Sequence, residues 1–293
     1  MSDARIIDSG YRRYDGPRLG ERQATFALWK HTLRRILGLG RPARWKILPV
    51  LSIAIAYVPN IVFVGVIALL PERRLRDTVL PGYAFTYGFI TAAIALFVIF
   101  VAPEALCPDR RSGILSLYLA TPLTRTRYIL AKSSAVFTAL LLVTLGPALL
   151  YLIGLAAQSA GPHGFGGFMS ILGRIGLSGV ILALFFTGFS IGASSLTDRK
   201  AVAAAIIFFS SQATGAALAI LVNGLKAPAW LFGFSTNGAA FALVLHIFGQ
   251  GRVAIGATNY IVPTIAFAGG TAFWTILGLG TAWYRYSRLR VTR

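Results

Sequence analysis

The sequence predicts an all-α membrane protein with six transmembrane helices, an N-terminal interfacial helix and both termini in the cytoplasm. Hydrophobic residues make up 56% of the 293 residues and charged residues only 13%, and the mean hydropathy is +0.71. A soluble domain carries about 25% charged residues, because water must wet its surface. The shortage of charged residues comes from long runs that contain none, and such runs exclude an ordinary soluble domain.

Six uncharged runs are long enough to serve as the transmembrane helices. The hydrocarbon core of a bilayer is about 30 Å thick, and a helix needs about 20 apolar residues to cross it. A charged residue at the centre of a span would cost about 2.5–3.5 kcal/mol. The runs are Ile47–Leu70, Ala84–Val101, Ala135–Leu155, Ile175–Leu196, Ala201–Leu221 and Ile261–Trp283. They divide the chain into a cytoplasmic N-terminal segment (residues 1–46), a transmembrane domain (47–283) and a basic cytoplasmic tail (284–293).

The distribution of basic residues predicts the orientation of these spans. Lys and Arg are concentrated in the cytoplasmic loops of membrane proteins. With both termini inside, only six of the 28 Lys and Arg residues lie outside, and three of those (Arg73, Arg74 and Arg76) are in the first outer loop. In such a chain, the net charge of +19 predicts contact with anionic lipid and no nucleic-acid partner. We expect a multi-pass protein of the cell (inner) membrane.

The N-terminal segment is basic, and we expect the first span, rather than a cleaved signal peptide, to direct insertion. Within it, Glu21–Gly38 repeats apolar residues such as Phe26, Trp29 and Leu33 at spacings of three and four, with basic residues on the other face. This pattern predicts a helix that lies in the membrane interface. Two interpretations stay open: a plain membrane anchor, or a connecting helix that also contacts a cytoplasmic partner.

The loop between the second and third runs (residues 104–132) is the most informative stretch. A charged Asp-Arg-Arg triplet at 109–111 precedes a short apolar segment, Ile114–Leu119, which Pro122 ends. About two helical turns are too short to cross a membrane. The segment therefore presents apolar side chains at the cytoplasmic surface, where a soluble partner could bind them. The alternative is a loop that lies on the lipid surface without a partner.

At these residues the chain resembles the permease subunits of type-2 ABC exporters. The family pattern is an acidic–Arg pair, a Gly, a short hydrophobic segment, a Thr-Pro, a Ser/Thr-Arg and a Lys before the next helix. Here it reads Asp109-Arg110, Gly113, Leu115–Leu119, Thr121-Pro122, Thr124-Arg125 and Lys132. The departures are Asp instead of Glu at 109, Arg instead of an acidic residue at 111, and Ile instead of Thr at 114. The N-terminal stretch Tyr11–Pro17 is similar to the start of actinobacterial members.

The resemblance implies a coupling loop that binds a separate cytoplasmic ABC ATPase subunit. ATP-driven dimerisation of two such subunits would move two permease chains, in a homodimer or a heterodimer, between inward-open and outward-open states. ATP and Mg would be bound by the ATPase, and we expect no cofactor in this chain, which has no G-x-x-x-x-G-K-[ST] motif. The expected coupling residues are Asp109, Arg110, Gly113, Leu115, Leu117, Tyr118, Pro122 and Arg125.

Polar residues interrupt the apolar runs near their centres. The fifth run contains Ser210, Ser211, Gln212 and Thr214, and polar groups in hydrocarbon must face protein or water. One interpretation is hydrogen bonding between helices, which brings them into close contact. The other follows from the resemblance, which implies that the second and fifth spans surround the central cavity. The translocation path would then be lined by these four residues together with Thr86, Tyr87 and Phe89.

Two further patterns predict packing rather than chemistry. The G-x-x-x-G sequence from Gly188 to Gly192 permits close contact between helices, and we expect that contact to be internal. The long outer segment before the last span contains an apolar stretch, Ala239–Phe248, which is too short to cross the membrane. It predicts a re-entrant or interfacial helix pair, in which His246 is a structural residue.

Four functions compete for this sequence, and an ATP-driven exporter permease is the leading one. A membrane enzyme is disfavoured because the spans hold no buried Ser/His pair, paired Asp residues or H-E-x-x-H motif, and the lone Cys107 and three scattered histidines form no metal-binding pattern. An ion-coupled secondary transporter commonly has an acidic residue at the midplane, and no run contains one. A non-transporting assembly partner is the alternative that the sequence excludes least well.

Overall fold

The computed structural model describes residues 20–69, 81–119, 122–236, 238–256 and 258–288. Four elements of the sequence predictions lie outside these ranges. They are the Tyr11–Pro17 stretch, the three arginines of the first outer loop, Thr121 of the coupling motif, and the last five residues of the tail.

The described residues form an α-helical bundle with six helices long and apolar enough to cross a membrane, which confirms the predicted fold class. An N-terminal helix, Glu21–Ile36, and a short 3-10 turn, Ala43–Trp45, precede them. Spans one to six are Ile47–Leu69, Tyr83–Arg111, Arg125–Ala157, Gly164–Ser195, Lys200–Asn223 and Thr264–Arg288. The end of the bundle that carries the N-terminal helix and the loop after span two is called the basic end below.

Span two continues beyond the end that the sequence predicts. The α-helix Tyr83–Leu96 passes into a π-helical turn, Phe97–Val101, and a 3-10 turn, Ala102–Ala105, before the last helical turn, Cys107–Arg111. The predicted end at Val101 is therefore wrong. The prediction ended the span before Glu104 because an unpaired carboxylate is unfavourable in a membrane span. In the structure, cationic side chains surround this carboxylate.

Spans three and four also begin earlier than the sequence predicts, at Arg125 and Gly164. Thr124 stabilises the start of span three as an N-cap, because its side-chain oxygen accepts a hydrogen bond from the Arg127 backbone amide at 3.3 Å. As a consequence, Lys132 and Arg174 lie within helices rather than in loops.

The outer segment between spans five and six contains a helix, Ala239–Ile247, as predicted, and a 3-10 turn, Ala229–Phe234. It also contains an antiparallel hairpin, Arg252–Ile255 with Thr258–Ile261, which the sequence analysis missed. Asn223 at the end of span five holds this hairpin: its amide nitrogen donates to the Ile255 carbonyl at 3.0 Å, and its amide oxygen accepts from the Tyr260 hydroxyl at 3.0 Å.

Burial differs sharply between the spans. Within an apolar 18-residue stretch of each span, half or more of the residues are buried in spans two, three and four, whereas only 11% are buried in span five. Large apolar side chains such as Phe209 and Ile220 are exposed on span five. Spans two, three and four therefore form the core, and span five presents most of its surface to lipid or to another chain.

Spans four and six approach each other through glycines. A Cβ atom placed on Gly188 would lie 2.7 Å from the Thr275 carbonyl oxygen, and one placed on Gly192 would lie 2.6 Å from the Gly278 Cα atom. These separations are shorter than any tolerated contact. The G-x-x-x-G sequence therefore packs span four against span six inside the chain, as the sequence predicts.

This contact predicts a position-specific effect of adding one methyl group. A Cβ at Gly278 would lie 2.1 Å from the Gly188 carbonyl oxygen, so Gly278→Ala should force the two helices apart. We expect a loss of about 1–3 kcal/mol of stability, measured by thermal unfolding in detergent. Gly280→Ala is the matched control in the same helix, because nothing lies within 4 Å of its Cβ position. Equal melting temperatures for the two variants would contradict this packing.

Candidate coupling site

Asp109 is the centre of a buried charge cluster at the basic end. Its side chain has no exposed surface, and both of its oxygens are bound. Oδ1 accepts a hydrogen bond from Arg35 Nη1 at 2.9 Å, while Oδ2 lies 2.6 Å from Lys132 Nζ and accepts from the Tyr128 hydroxyl at 2.9 Å. A buried carboxylate is stable only with such partners. Asp109 therefore joins the end of span two to the N-terminal helix and to span three.

Glu104 forms the second half of the cluster, about a turn and a half earlier in span two. Its Oε1 atom lies 3.2 Å from Arg35 Nε and 2.7 Å from Arg41 Nη1, and its Oε2 atom contacts the Lys200 ammonium group. Lys200 is the first residue of span five. Arg35 bridges both carboxylates, so the N-terminal helix and spans two, three and five meet at one charge cluster.

Arg110 attaches the same segment to the end of span four. Its Nη1 atom donates to the carbonyl oxygens of Ser195 at 2.5 Å and Thr197 at 3.4 Å. From span six, Arg285 donates to the neighbouring Leu196 carbonyl at 2.8 Å. The last carbonyl groups of a helix lack partners within the helix and carry partial negative charge, so cationic donors stabilise them.

The part of the loop that follows is exposed. Gly113 has φ +69°, a conformation that glycine adopts without the cost a side chain would add, and it turns the chain into the short helix Leu115–Leu119. In this helix the side chain of Leu117 is 67% exposed, and Ile114 beside it is also exposed. The loop thus ends in an apolar surface that the described residues do not cover.

The predicted coupling residues therefore fall into two groups. Asp109 and Arg110 bind other parts of this chain, and the Tyr118 ring packs at a tilt against the Tyr128 ring, with 5.9 Å between the ring centres. Gly113 and Leu117 are exposed, as is Pro122, while Leu115 is partly buried. Arg125 is exposed too, and its Nη1 atom donates to the Ser287 carbonyl at 2.6 Å. Direct contact of this loop with a partner stays a prediction. The exposed residues are better placed for such a contact than the residues bound within the chain.

A small cavity separates the exposed loop helix from the N-terminal helix. It has a volume of about 360 Å³ and is lined by Ala24, Ala27, Leu28, His31, Tyr118 and Leu123. Partial burial, together with the neighbouring cations Lys132 and Arg35, lowers the pKa of His31 below its ordinary value. The imidazole is therefore neutral near pH 7, and the lining of this cavity is uncharged.

The residues predicted to line a translocation path do not lie on one surface. In span two, Tyr87 is fully buried and its hydroxyl donates to the Ile175 carbonyl of span four at 3.3 Å, while Thr86 is buried beside it. Phe89 lies on another face, with Phe85 and Phe241 along an open cavity of about 470 Å³. In this conformation, only Phe89 of the three faces open space.

The polar residues of span five satisfy most of their hydrogen bonds locally. Ser210, Ser211 and Thr214 donate to the carbonyls of Ile206, Phe208 and Ser210 at 2.5, 2.8 and 2.8 Å. The Thr214 hydroxyl also lies 2.5 Å from that of Thr236 in the outer segment. Gln212 is exposed on a different face of the helix. Apart from the contact with Thr236, these bonds lie within span five itself, so they do not join it to another span. The path assignment stays a prediction.

The sequence analysis missed the charge cluster as a unit. It placed Glu104 and Lys132 at the ends of one loop and Arg35 on the headgroup-facing side of the interfacial helix, whereas Arg35 faces the two carboxylates. It counted Arg41 and Lys200 only as basic residues of the cytoplasmic side. A usable signal was present, since the chain has 9 acidic residues against 28 basic ones. An acidic residue beside an apolar run, in such an excess of cations, is expected to bind several of them.

Comparison with known proteins agrees with this architecture. A family model described as ABC-2 family transporter protein matches residues 21–231, which include the N-terminal helix, the charge cluster and spans one to five. The chain belongs to the ABC-2 family of transporter proteins. It is thus the multi-pass membrane permease of an ABC transporter, a type of subunit that is typically non-enzymatic and whose family implies an ATPase partner. No curated protein sequence matches the chain.

The cluster predicts a large effect of neutralising Asp109. Asp109→Asn leaves the ammonium group of Lys132 buried without its counter-charge, which should cost about 3–5 kcal/mol of stability. Thermal unfolding of the detergent-solubilised chain measures it. Asp198→Asn is the control, because Asp198 is exposed and forms no ion pair within the described ranges; its effect should stay within about 0.5 kcal/mol. Equal stabilities would contradict the cluster.

Proposed function

We propose that this permease couples ATP hydrolysis by a separate cytoplasmic ATPase to the export of a substrate. The observation that carries the proposal is the two-part construction of the loop after span two. An exposed apolar surface around Leu117 adjoins a buried segment that is bound to the N-terminal helix and to spans three, four and five. A partner that binds the surface would therefore act on several spans at once.

The mechanism follows from the contacts of the buried segment. A displacement of the loop helix would reach span four through Arg110, whose guanidinium binds the carbonyls at the end of that span. It would reach span three through the ion pair of Asp109 with Lys132, and span five through that of Glu104 with Lys200. Because the Asp109–Lys132 pair is fully buried and therefore costly to break, span three would move with the loop rather than slide past it.

The ATPase subunits would supply the nucleotide-binding site. ATP and Mg belong to those subunits in this proposal, and this chain contributes the coupling surface. In the membrane, both termini and the basic end would face the cytoplasm, because Lys and Arg concentrate there. The cell (inner) membrane is the corresponding location, with residues 1–46 and 284–293 as the cytoplasmic segments that flank the transmembrane domain.

A second permease chain would complete the translocation path. The exposure of span five supports this, because its apolar residues Phe209 and Ile220 and the polar Gln212 lie on the surface of the single chain. In a dimer, the face of span five and the cavity beside Phe89 would face the partner chain or the path between the two. The residues proposed to line the path are Thr86, Tyr87, Phe89, Ser210, Ser211, Gln212 and Thr214.

The coupling surface predicts the effect of placing a charge on it. Leu117→Asp should abolish association with the ATPase, because an aspartate cannot enter an apolar groove without losing its hydration. The measurement is co-purification of a P-loop ATPase, with its ATP hydrolysis, from the native membrane in mild detergent. Leu225→Asp is the matched control: Leu225 is 73% exposed, comparable to Leu117, but it follows span five at the opposite end of the bundle.

The outcomes of this experiment separate the competing functions. Association lost in Leu117→Asp and kept in Leu225→Asp supports the coupling surface. An ATPase that binds both variants overturns the role of this loop while leaving the transporter intact. A wild-type chain that purifies without any ATPase favours the assembly-partner alternative.

The proposed dimer predicts cross-linking through span five. In Gln212→Cys, the introduced thiol is on the exposed face, while the natural Cys107 is buried and cannot react. Oxidation in membranes should yield a disulfide-linked dimer on a non-reducing gel. Leu177→Cys, at an exposed position of span four, should stay monomeric. Cross-linking of Leu177→Cys alone would place the dimer contact elsewhere.

A further inference from the structure

A basic cleft lies at the basic end of the bundle, beside the charge cluster. It has a volume of about 1020 Å³ and is formed by the turn before span one, the end of span two and the start of span five. We call it the basic cleft, and its lining includes Trp45, Arg111, Ser112, Asp198, Arg199 and Lys200.

The basic cleft continues into a narrower recess, whose lining is partly charged and partly apolar. A second cavity of about 100 Å³ shares Trp45 and Lys200 with it and extends along span one to Leu48 and across to Phe100 of span two. Both of these apolar side chains are partly exposed on the outside of the bundle. The combined site therefore has cationic side chains in both cavities, and its apolar part is the side of the recess at Leu48 and Phe100, which opens to the outside of the bundle.

Positive charge exceeds negative charge in this site. Glu104 is shared by three cations, Arg35, Arg41 and Lys200. Asp109 also contacts Arg35, but Lys132 offsets its charge. Among the described lining residues, Asp198 is the one further acid. Six cationic side chains line the two cavities: Arg35, Arg41, Arg44, Arg111, Arg199 and Lys200.

Arg35, Arg41 and Lys200 are partly buried and share Glu104 as a counter-charge, so a further anion close to them would stabilise the site. Arg44, Arg111 and Arg199 are exposed, and none of them forms an ion pair with another residue in the described part of the chain. Their guanidinium groups are therefore available to an anion, and guanidinium is well suited to phosphate because it can donate two parallel hydrogen bonds.

The depth of the cleft points to a lipid as the source of the phosphate. Trp45 lies two residues before span one begins at Ile47, and Lys200 is the first residue of span five. The Lys200 ammonium group lies 4.8 Å from the centre of the Trp45 ring. Tryptophan and lysine at the ends of spans are typical of the level of the lipid headgroups, so the cleft opens where anionic headgroups are concentrated.

We infer that the basic cleft binds the phosphate group of an anionic phospholipid, with one acyl chain along the recess between Leu48 and Phe100. This assignment goes beyond the proposed function, because it does not require the ATPase or a transported substrate. It also places a lipid against Lys200 and Glu104, the ion pair that joins span two to span five.

The test is lipid retention by the full-length chain in detergent, measured by native mass spectrometry with phosphatidylglycerol or phosphatidylcholine. We expect wild type to retain phosphatidylglycerol preferentially. The double variant Arg44→Gln/Arg199→Gln should bind it about 30-fold more weakly, because each cation near an anionic headgroup strengthens binding severalfold. The matched control is Lys30→Gln/Arg34→Gln, which removes two exposed cations of the N-terminal helix outside the cleft and should retain the lipid as wild type does.

Four results would overturn the inference. One is equal retention of the two lipids by wild type, and another is equal losses in the double variant and its control. The third is displacement of phosphatidylglycerol by inorganic phosphate at matched ionic strength, which would identify a site for a free anion. If the double variant keeps the lipid but loses the ATPase, the cleft is a protein-docking surface instead. The permease assignment would survive each of these results.

Discussion

Two carboxylates at the boundary between the apolar interior and the basic end constrain the rest of this structure. A carboxylate removed from water is stable only when cations and hydrogen-bond donors replace the water. Asp109 is fully buried, and its donors come from the N-terminal helix and span three, whereas Glu104 binds Lys200 of span five. Satisfying the two acids therefore requires these elements to meet at the end of span two.

The course of span two follows from the same requirement. Residues five positions apart on a helix point in different directions, because a turn takes about 3.6 residues. The π-helical and 3-10 turns between Phe97 and Ala105 carry the chain on to Arg111 while directing Glu104 toward span five and Asp109 toward span three. Arg35 contacts both acids from the N-terminal helix. The irregular end of the span is thus the part that connects the bundle.

This arrangement gives the loop after span two an anchored half and an exposed half. The anchored half, which includes Asp109 and Arg110, is bound to the bundle by ion pairs and by the carbonyls at the end of span four. The exposed half, with Leu117 at its centre, is apolar. In the proposed function, a partner bound to the exposed half would pass its movement to several spans through the anchored half. The basic cleft beside it places the same connection in reach of lipid headgroups.

The sequence by itself determined the class, the number of spans and the internal contact of the span-four glycines. Those features depend on local composition, on the length of apolar runs and on residue size, which a single chain displays directly. It also identified the loop after span two, through its motif.

Only the tertiary structure decided that Asp109 and Arg110 face inward, that span two extends past Glu104, and that a hairpin follows span five. Each of these depends on partners distant in the chain: Lys200 and Arg35 make the charge of Glu104 tolerable within a helix, and Asn223 holds the hairpin. Run length and hydropathy contain no information about such partners, because they describe each segment in isolation.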